Sequence, residues 1–135
     1  MENQPSLIMS SLDVARLDRL LESPACAHQP GIDALREEIG RATLVEPEAM
    51  PAQVVTMNSR VRFADENNGA THELTLVYPE AAAPGTVSVT APVGSALLGL
   101  SAGQSIVWQV PDGRQLRLRV LEVVRQPEAE GEYHR

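Results

Sequence analysis

Residues 46–51 read Glu46-Pro47-Glu48-Ala49-Met50-Pro51, and the chain changes character on either side of them. Each of the two prolines removes a backbone donor and pushes the residue before it toward extended geometry, so no helix or central strand runs through this hexapeptide. Upstream, apolar residues recur at the three-to-four spacing of amphipathic helices; downstream they tend to alternate, as strands require. The chain therefore divides into a helical part over residues 1–49 and a β-rich part over residues 50–135, an α+β arrangement.

In the helical part, SSLDVARLDRLLES over residues 10–23 predicts a helix capped by Ser10 or Ser11, with Leu12, Ala15, Leu20 and Leu21 near one face and Leu17 beside them. Pro24 ends it, and Pro30-Gly31 supplies a second break. From there Ile32, Leu35, Ile39 and Ala42 return to one helical face, leaving Arg36, Glu37, Glu38 and Arg41 outside. Helices this close in sequence are expected to form a short antiparallel hairpin, with Cys26 and His28 at its tip. Glu37 and Glu38 are an adjacent acidic pair, but consecutive helical positions point about 100° apart, which suits a solvated face.

Downstream, residues 54–57 and 61–63 are β-rich runs around Asn58-Ser59, Asn67-Asn68-Gly69 is a turn, and residues 73–78 alternate as a strand. Residues 86–90 form another short strand, 95–100 are the one helical segment of this half, and 106–110 and 116–124 flank Pro111-Asp112-Gly113, a hairpin signal. The expectation is an antiparallel sheet of about five strands wrapped against one short helix, with a frayed polar tail from Gln126.

At 135 residues and 43% hydrophobic, the chain suits one domain, or one domain with a small appendage, and is too short for a doubly wound enzyme or a barrel. All 11 basic side chains are Arg; without Lys, Schiff-base chemistry and a P-loop lysine are excluded. A formal charge of −7 opposes a phosphate backbone and points to a protein partner. Cys26 is the only cysteine, which suits a reducing compartment. No basic leader precedes an apolar segment, and no run approaches the roughly 18 apolar residues of a membrane span, so a cytoplasmic location and no membrane partner are expected.

Several local patterns carry chemistry elsewhere. Gly99-Leu100-Ser101-Ala102-Gly103, followed by Asp112 and His134, matches a nucleophile elbow, yet a helical segment precedes it and a strand follows, the reverse of what an elbow needs. A loop turning at two glycines is the better account. Cys26 and His28 supply two of the four ligands a structural zinc site requires, so neither a metal site nor a cofactor is expected. Arg60 and Arg62 share one strand face opposite Val61 and Phe63, and Arg117 and Arg119 do likewise opposite Leu116 and Leu118. These are the wet side of a half-buried sheet and also a candidate basic contact patch for acidic partner residues or nucleic acid.

The residues Val54-Val55-Thr56-Met57-Asn58-Ser59-Arg60-Val61, the strand end Leu76-Val77-Tyr78-Pro79, the run from Val87 through Ala91-Pro92-Val93-Gly94 to Leu100, and Pro111-Asp112-Gly113 resemble the C-terminal domain of the bacterial Gre transcript-cleavage and elongation factors. Glu48-Ala49-Met50-Pro51 and Gln126-Pro127-Glu128-Ala129 extend the likeness over nearly the whole chain, toward the short-hairpin group of regulators of nucleoside diphosphate kinase. The resemblance implies a fold like that of FK506-binding proteins, a monomer, and docking on RNA polymerase near the rim of its secondary channel, close to the DNA and RNA of the transcription complex. The family's polymerase-contacting loop falls at Thr90, Ala91, Pro92 and Val93. Cleavage factors usually carry an acidic or amide residue and then Ser before that proline, so Thr90 and Ala91 imply a less polar contact. Their chemistry also needs carboxylates at a long hairpin's tip to reach a catalytic magnesium ion, whereas residues 23–31 contain no acid. The resemblance thus implies a non-enzymatic regulator without catalytic residues, which competes with longer factors and affects nucleoside diphosphate kinase levels indirectly. The alternatives are a vestigial prolyl isomerase, which would need its few aromatics in a pocket, and an interaction module directed elsewhere.

Overall fold

The computed structural model describes residues 6–24, 32–109 and 114–131. The first part runs β1 (Ile8–Ser10), α1 (Ser11–Glu22), α2 (Ile32–Arg41) and β2 (Thr43–Val45). Ser10 caps α1, its hydroxyl accepting the Asp13 N–H at 2.9 Å. At the other end the Ser23 N–H and hydroxyl both donate to the Leu20 carbonyl, just ahead of Pro24. β1 and β2 pair in parallel, with Ile8 opposite Thr43 and Ser10 opposite Val45, so the start of α1 and the exit from α2 lie side by side. Arg36 of α2 donates to the Leu21 carbonyl at 2.8 Å, satisfying one of the carbonyls that the end of α1 leaves open.

α2 buries Ile32, Leu35 and Ile39, as its spacing predicts. In α1 the buried stripe is Asp13, Leu17 and Leu21, while Leu12 and Leu20 are half-buried and Ala15 is exposed. The stripe is rotated from the expected one because a polar residue, Asp13, finds a buried partner, which an apolar count passes over.

The second part contains β3 (Arg60–Asp65), β4 (Thr71–Val77), β5 (Thr86–Ser88), α3 (Pro92–Leu97), β6 (Ser105–Gln109) and β7 (Gln115–Arg125). They form one sheet in the order β5-β4-β3-β7-β6. Its pairings are antiparallel except for the edge, where β5 runs parallel to β4 with Thr75 opposite Thr86 and Val77 opposite Ser88. The link over residues 78–85, with a 3-10 turn at Pro79–Ala81, folds the chain back beside the end of β4, which suffices for a short parallel ladder but not a long one.

Three expectations of local structure are corrected. Residues 54–57 are buried but form no strand, only a bridge from Val54 to Ser101. The helix expected over 95–100 lies at Pro92–Leu97, because Pro92 at its first turn presets helical φ. The tail is anchored rather than frayed as far as residue 131: Gln126 is buried, its amide donates to the carbonyls of Pro51 at 2.7 Å and Val54 at 2.8 Å, and Glu128–Glu130 form a 3-10 turn.

Helical residues such as Leu17 and Leu35 share one continuous apolar core with Met57, Phe63, Leu97 and Val120, so the helices are seated on the sheet part. Two glycines make close approaches possible. Gly99, at φ 85°, passes its carbonyl to the Ile8 N–H at 3.1 Å, and a Cβ there would meet the Leu7 side chain at 3.2 Å. Gly94 lies in α3 so close to the Ser88 carbonyl that a Cβ would overlap its oxygen. Gly94→Ala is therefore expected to destabilise by about 1–3 kcal/mol through overpacking, whereas Gly40→Ala, whose Cβ meets nothing within 4 Å, should stabilise α2 by about 0.5–1 kcal/mol. Urea unfolding midpoints of the two variants check both signs.

Candidate functional site

Residues 54–59 form the seam between the helices and the sheet, and their backbone groups are satisfied without forming a strand of their own. The Val55 N–H donates to the Leu100 carbonyl at 2.8 Å, and the Gly99 N–H to the Val55 carbonyl at 2.9 Å. The Thr56 N–H donates to Ser59 Oγ at 3.0 Å, and the Met57 N–H to Asp13 Oδ2 at 3.1 Å. Asn58 then takes a left-handed φ of 67°, a conformation Asn tolerates, and its N–H donates to the Leu76 carbonyl. Thr56 Oγ1 donates to Glu128 Oε1 at 2.7 Å and lies 2.8 Å from Ser59 Oγ, tying the tail to the same seam.

Asp13 is 4% exposed. Burial is the main influence on its carboxyl and pushes it up to about 7, with the Glu128 charge adding to the rise while the Met57 N–H and the Arg16 guanidinium oppose it. Tyr78 stands nearby; burial, reinforced by the Asp13 charge, holds its phenol well above the usual range. A carboxylate is the strongest acceptor available for the Met57 N–H, so the seam joins two elements far apart in sequence through one buried acid.

Beside the same end of β4, where the Val89 N–H donates to the Val77 carbonyl at 2.9 Å, the chain enters the loop over residues 90–93. The Thr90 N–H donates to Ser88 Oγ at 3.2 Å, the two hydroxyls lie 2.8 Å apart, and the Ala91 N–H donates to the Ser88 carbonyl at 3.0 Å. Behind the loop, Ser95 Oγ donates to the Val89 carbonyl at 2.6 Å and its N–H to the Ala91 carbonyl at 2.8 Å. These bonds leave Thr90, Ala91 and Val93 half-buried and Pro92 exposed at the crest of a braced turn.

Arg60, Arg62, Arg117 and Arg119 are all exposed. The first two share Glu73, Arg62 also reaches Glu122 at 2.9 Å, and Arg119 pairs with Glu66 at 3.2 Å. The Arg60 hydrogen bond is the chief cause holding the Glu73 carboxyl below its usual range. Arg60, Arg62 and Arg119 are thus each answered by an acid, while Arg117 pairs with none among the described residues. Phe63 is 2% and Trp108 6% exposed, both core residues, and a cleft of about 210 Å3 lies over Phe63 with His72, Leu74 and Val93. Gly99 and Gly103 both have left-handed φ, α3 precedes them and β6 follows, the order of a two-glycine turn. Cys26, His28, Asp112 and His134 lie outside the described residues. Among the described residues no three His, Cys, Asp or Glu side chains are grouped to hold a metal, and no helix is long and apolar enough to cross a membrane.

The sequence pointed to residues 90–93 and to the arginines, but not to Asp13. Its signal was an acid at the third helical position with an apolar residue on each side, which also describes a common favourable first-turn charge.

Comparison with known proteins bears on both parts. The family model for the C-terminal domain of GreA/GreB transcription elongation factors matches residues 50–125, and that for the Rnk N-terminus matches residues 5–45. The chain is 49% identical over 133 residues to the "Regulator of nucleoside diphosphate kinase" of Escherichia coli K12, covering 97% of this chain and 98% of that one. It is 33% identical over 97 residues to the GreA elongation factor of Flavobacterium johnsoniae, 70% of this chain and 61% of that factor. A solved GreA/GreB elongation factor from Nitrosomonas europaea superposes with a TM-score of 0.71 at 47% identity, covering 90% of this chain and all (100%) of that one.

The seam has a pH signature. An acid raised from 3.8 to about 7 keeps its proton in the fold while the unfolded chain releases it, so its contribution to stability is full below about pH 4 and is lost as pH rises through about 7. Between pH 5 and pH 8 the wild type is expected to lose on the order of 2 kcal/mol more than Asp13→Asn, which keeps an acceptor for Met57 but does not titrate. Urea titrations at the two pH values measure the difference.

Proposed function

Since the chain belongs to the GreA/GreB family of transcription elongation factors, in its group of regulators of nucleoside diphosphate kinase, we propose that it is a non-enzymatic transcription regulator that binds RNA polymerase near the secondary-channel rim. Residues 50–135 form the docking domain, of FK506-binding-protein type, and residues 1–49 a short helical hairpin directed toward the channel. The contact is made by Thr90, Ala91, Pro92 and Val93. The observation that carries the reading is the braced turn at these residues: Pro92 is exposed while both flanks are pinned by Ser88 and Ser95, so an apolar contact forms there with little ordering cost.

The helices argue for occupancy without chemistry. α1 has 12 residues and is about 18 Å long, and the stretch 23–31 beyond it has no carboxylate to offer a magnesium ion. A protein of this shape competes with longer cleavage factors for one rim, and an effect on nucleoside diphosphate kinase follows indirectly through transcription. It acts in the cytoplasm as a monomer. Trp108 is buried and the cleft over Phe63 has neither Trp nor Tyr in its lining, which does not favour the aromatic-lined pocket that a prolyl isomerase uses.

Binding of the full chain to core RNA polymerase, measured beside Pro92→Glu, tests the reading. A charge pressed into an apolar contact is expected to weaken binding at least about tenfold while the protein stays folded. Equal binding by wild type and variant, or no binding of the wild type at micromolar concentration, contradicts it.

A further inference from the structure

Gln126 is buried and anchored through its own amide, but the 3-10 turn Glu128–Glu130 that follows is lightly held. Ala129, Glu130 and Gly131 are exposed, and two carboxylates tie the turn to the rest of the chain. Arg125 donates to Glu130 at 2.9 Å in an ion pair open to solvent, which contributes little. Thr56 Oγ1 donates to Glu128 Oε1 at 2.7 Å, the firmer tether. Opening the turn gives up little apolar contact, and segments of this kind open locally at low free energy.

The firmer tether lies beside the buried acid. Thr56 and Met57 are consecutive: the first holds Glu128, and the N–H of the second donates to Asp13 Oδ2 at 3.1 Å. One dipeptide thus brings together carboxyl groups from opposite ends of the chain, Asp13 buried and Glu128 half-buried. Asp13 is faced by Arg16 from its own helix, by Tyr78 from the segment leaving β4 and by Glu128 from the tail. Residues 54–59 add no charged side chain. The Tyr78 phenol stays neutral, shares Arg16 with Asp13 and has the Glu80 charge on its other side. Glu128 raises the Asp13 carboxyl more than Arg16 lowers it, so an ionised Asp13 meets a net repulsion from the charges around it. Leu17 and Leu21 fix α1 in the core and residues 54–57 are buried, which leaves the tail turn as the part that yields.

We propose that the Glu128–Glu130 turn is a latch on the seam, closed while Asp13 carries its proton and released as Asp13 ionises. The sign follows from linkage. With the turn open, Asp13 no longer faces the Glu128 charge and ionises more readily than in the closed form, and each pH unit of that difference shifts the open-to-closed ratio about tenfold. The closed form is favoured while Asp13 is protonated, and that advantage is lost as pH rises through about 7. Release frees the Thr56 hydroxyl from Glu128 near neutral pH. The latch is independent of the polymerase contact, and its failure would leave that reading untouched.

Millisecond hydrogen exchange of the full chain at pH 5 and pH 8, corrected for the intrinsic rate at each pH, tests it in wild type, Asp13→Asn and Glu128→Gln. The probes are the Glu130 and Gly131 N–H groups, which donate to the carbonyls of Pro127 and Glu128 within the turn, and ladder N–H groups of β3 and β7 report global unfolding. In the wild type, protection of the turn relative to the ladder is expected to fall about three- to tenfold between the two pH values. Both variants are expected to lose that dependence, and at pH 8 the turn is expected to be better protected in Glu128→Gln than in the wild type. Glu128→Gln keeps an acceptor for Thr56 and leaves the core untouched, so the comparison stands even where Asp13→Asn does not fold. Three results would overturn the latch: turn protection in the wild type that follows the ladder at both pH values, the same fall in folded Asp13→Asn, or the same fall in Glu128→Gln.

Discussion

The Met57 N–H has no strand to pair with, and the carboxylate that receives it belongs to a helix 44 residues earlier. A buried donor left without a partner costs about 1–3 kcal/mol, so the two segments are joined by necessity as well as by apolar contact. Around this bond the Ser10 cap sets the start of α1, the left-handed turn at Asn58 aims the chain into β3, and the Thr56–Glu128 bond draws in the tail. The helices thus keep a fixed relation to the sheet.

The same constraint explains which features were legible in the sequence. Helix ends were readable because their signals are local: Ser10 and Pro24 act through adjacent backbone groups. So were β3, β6 and β7, whose alternation reflects one buried face, and β4, which its residue types gave although its burial deepens toward Leu76 and Val77 rather than alternating. Residues 54–57 misled because Val54-Val55-Thr56-Met57 has strand composition for a different reason: all four are buried, and burial selects the same side chains whether or not a ladder forms. Nor could the burial of Gln126 be read, since its amide N–H groups donate to carbonyls of Pro51 and Val54, about 70 residues upstream.

The candidate sites divide in the same way. The loop at residues 90–93 was visible as a motif, and the structure adds its bracing by Ser88 and Ser95 and the tight fit of Gly94 against the Ser88 carbonyl. The arginines of the sheet were visible as a pattern, but the acids that answer them come from other strands: Glu73 from β4, and Glu122 from β7 beside Arg62 on β3. Asp13 was hidden altogether, because a buried acid is unremarkable in sequence until its acceptor role is seen.

The proposed function is occupancy of the polymerase rim with no carboxylate brought to the active centre. The most direct measurement is transcript cleavage in a backtracked elongation complex with a long-hairpin GreA factor, as this chain is titrated in. The account predicts that cleavage by the factor falls as the chain is added, and that the chain alone stimulates none. Stimulation by the chain alone, or cleavage by the factor that stays unchanged at saturating chain, would contradict it.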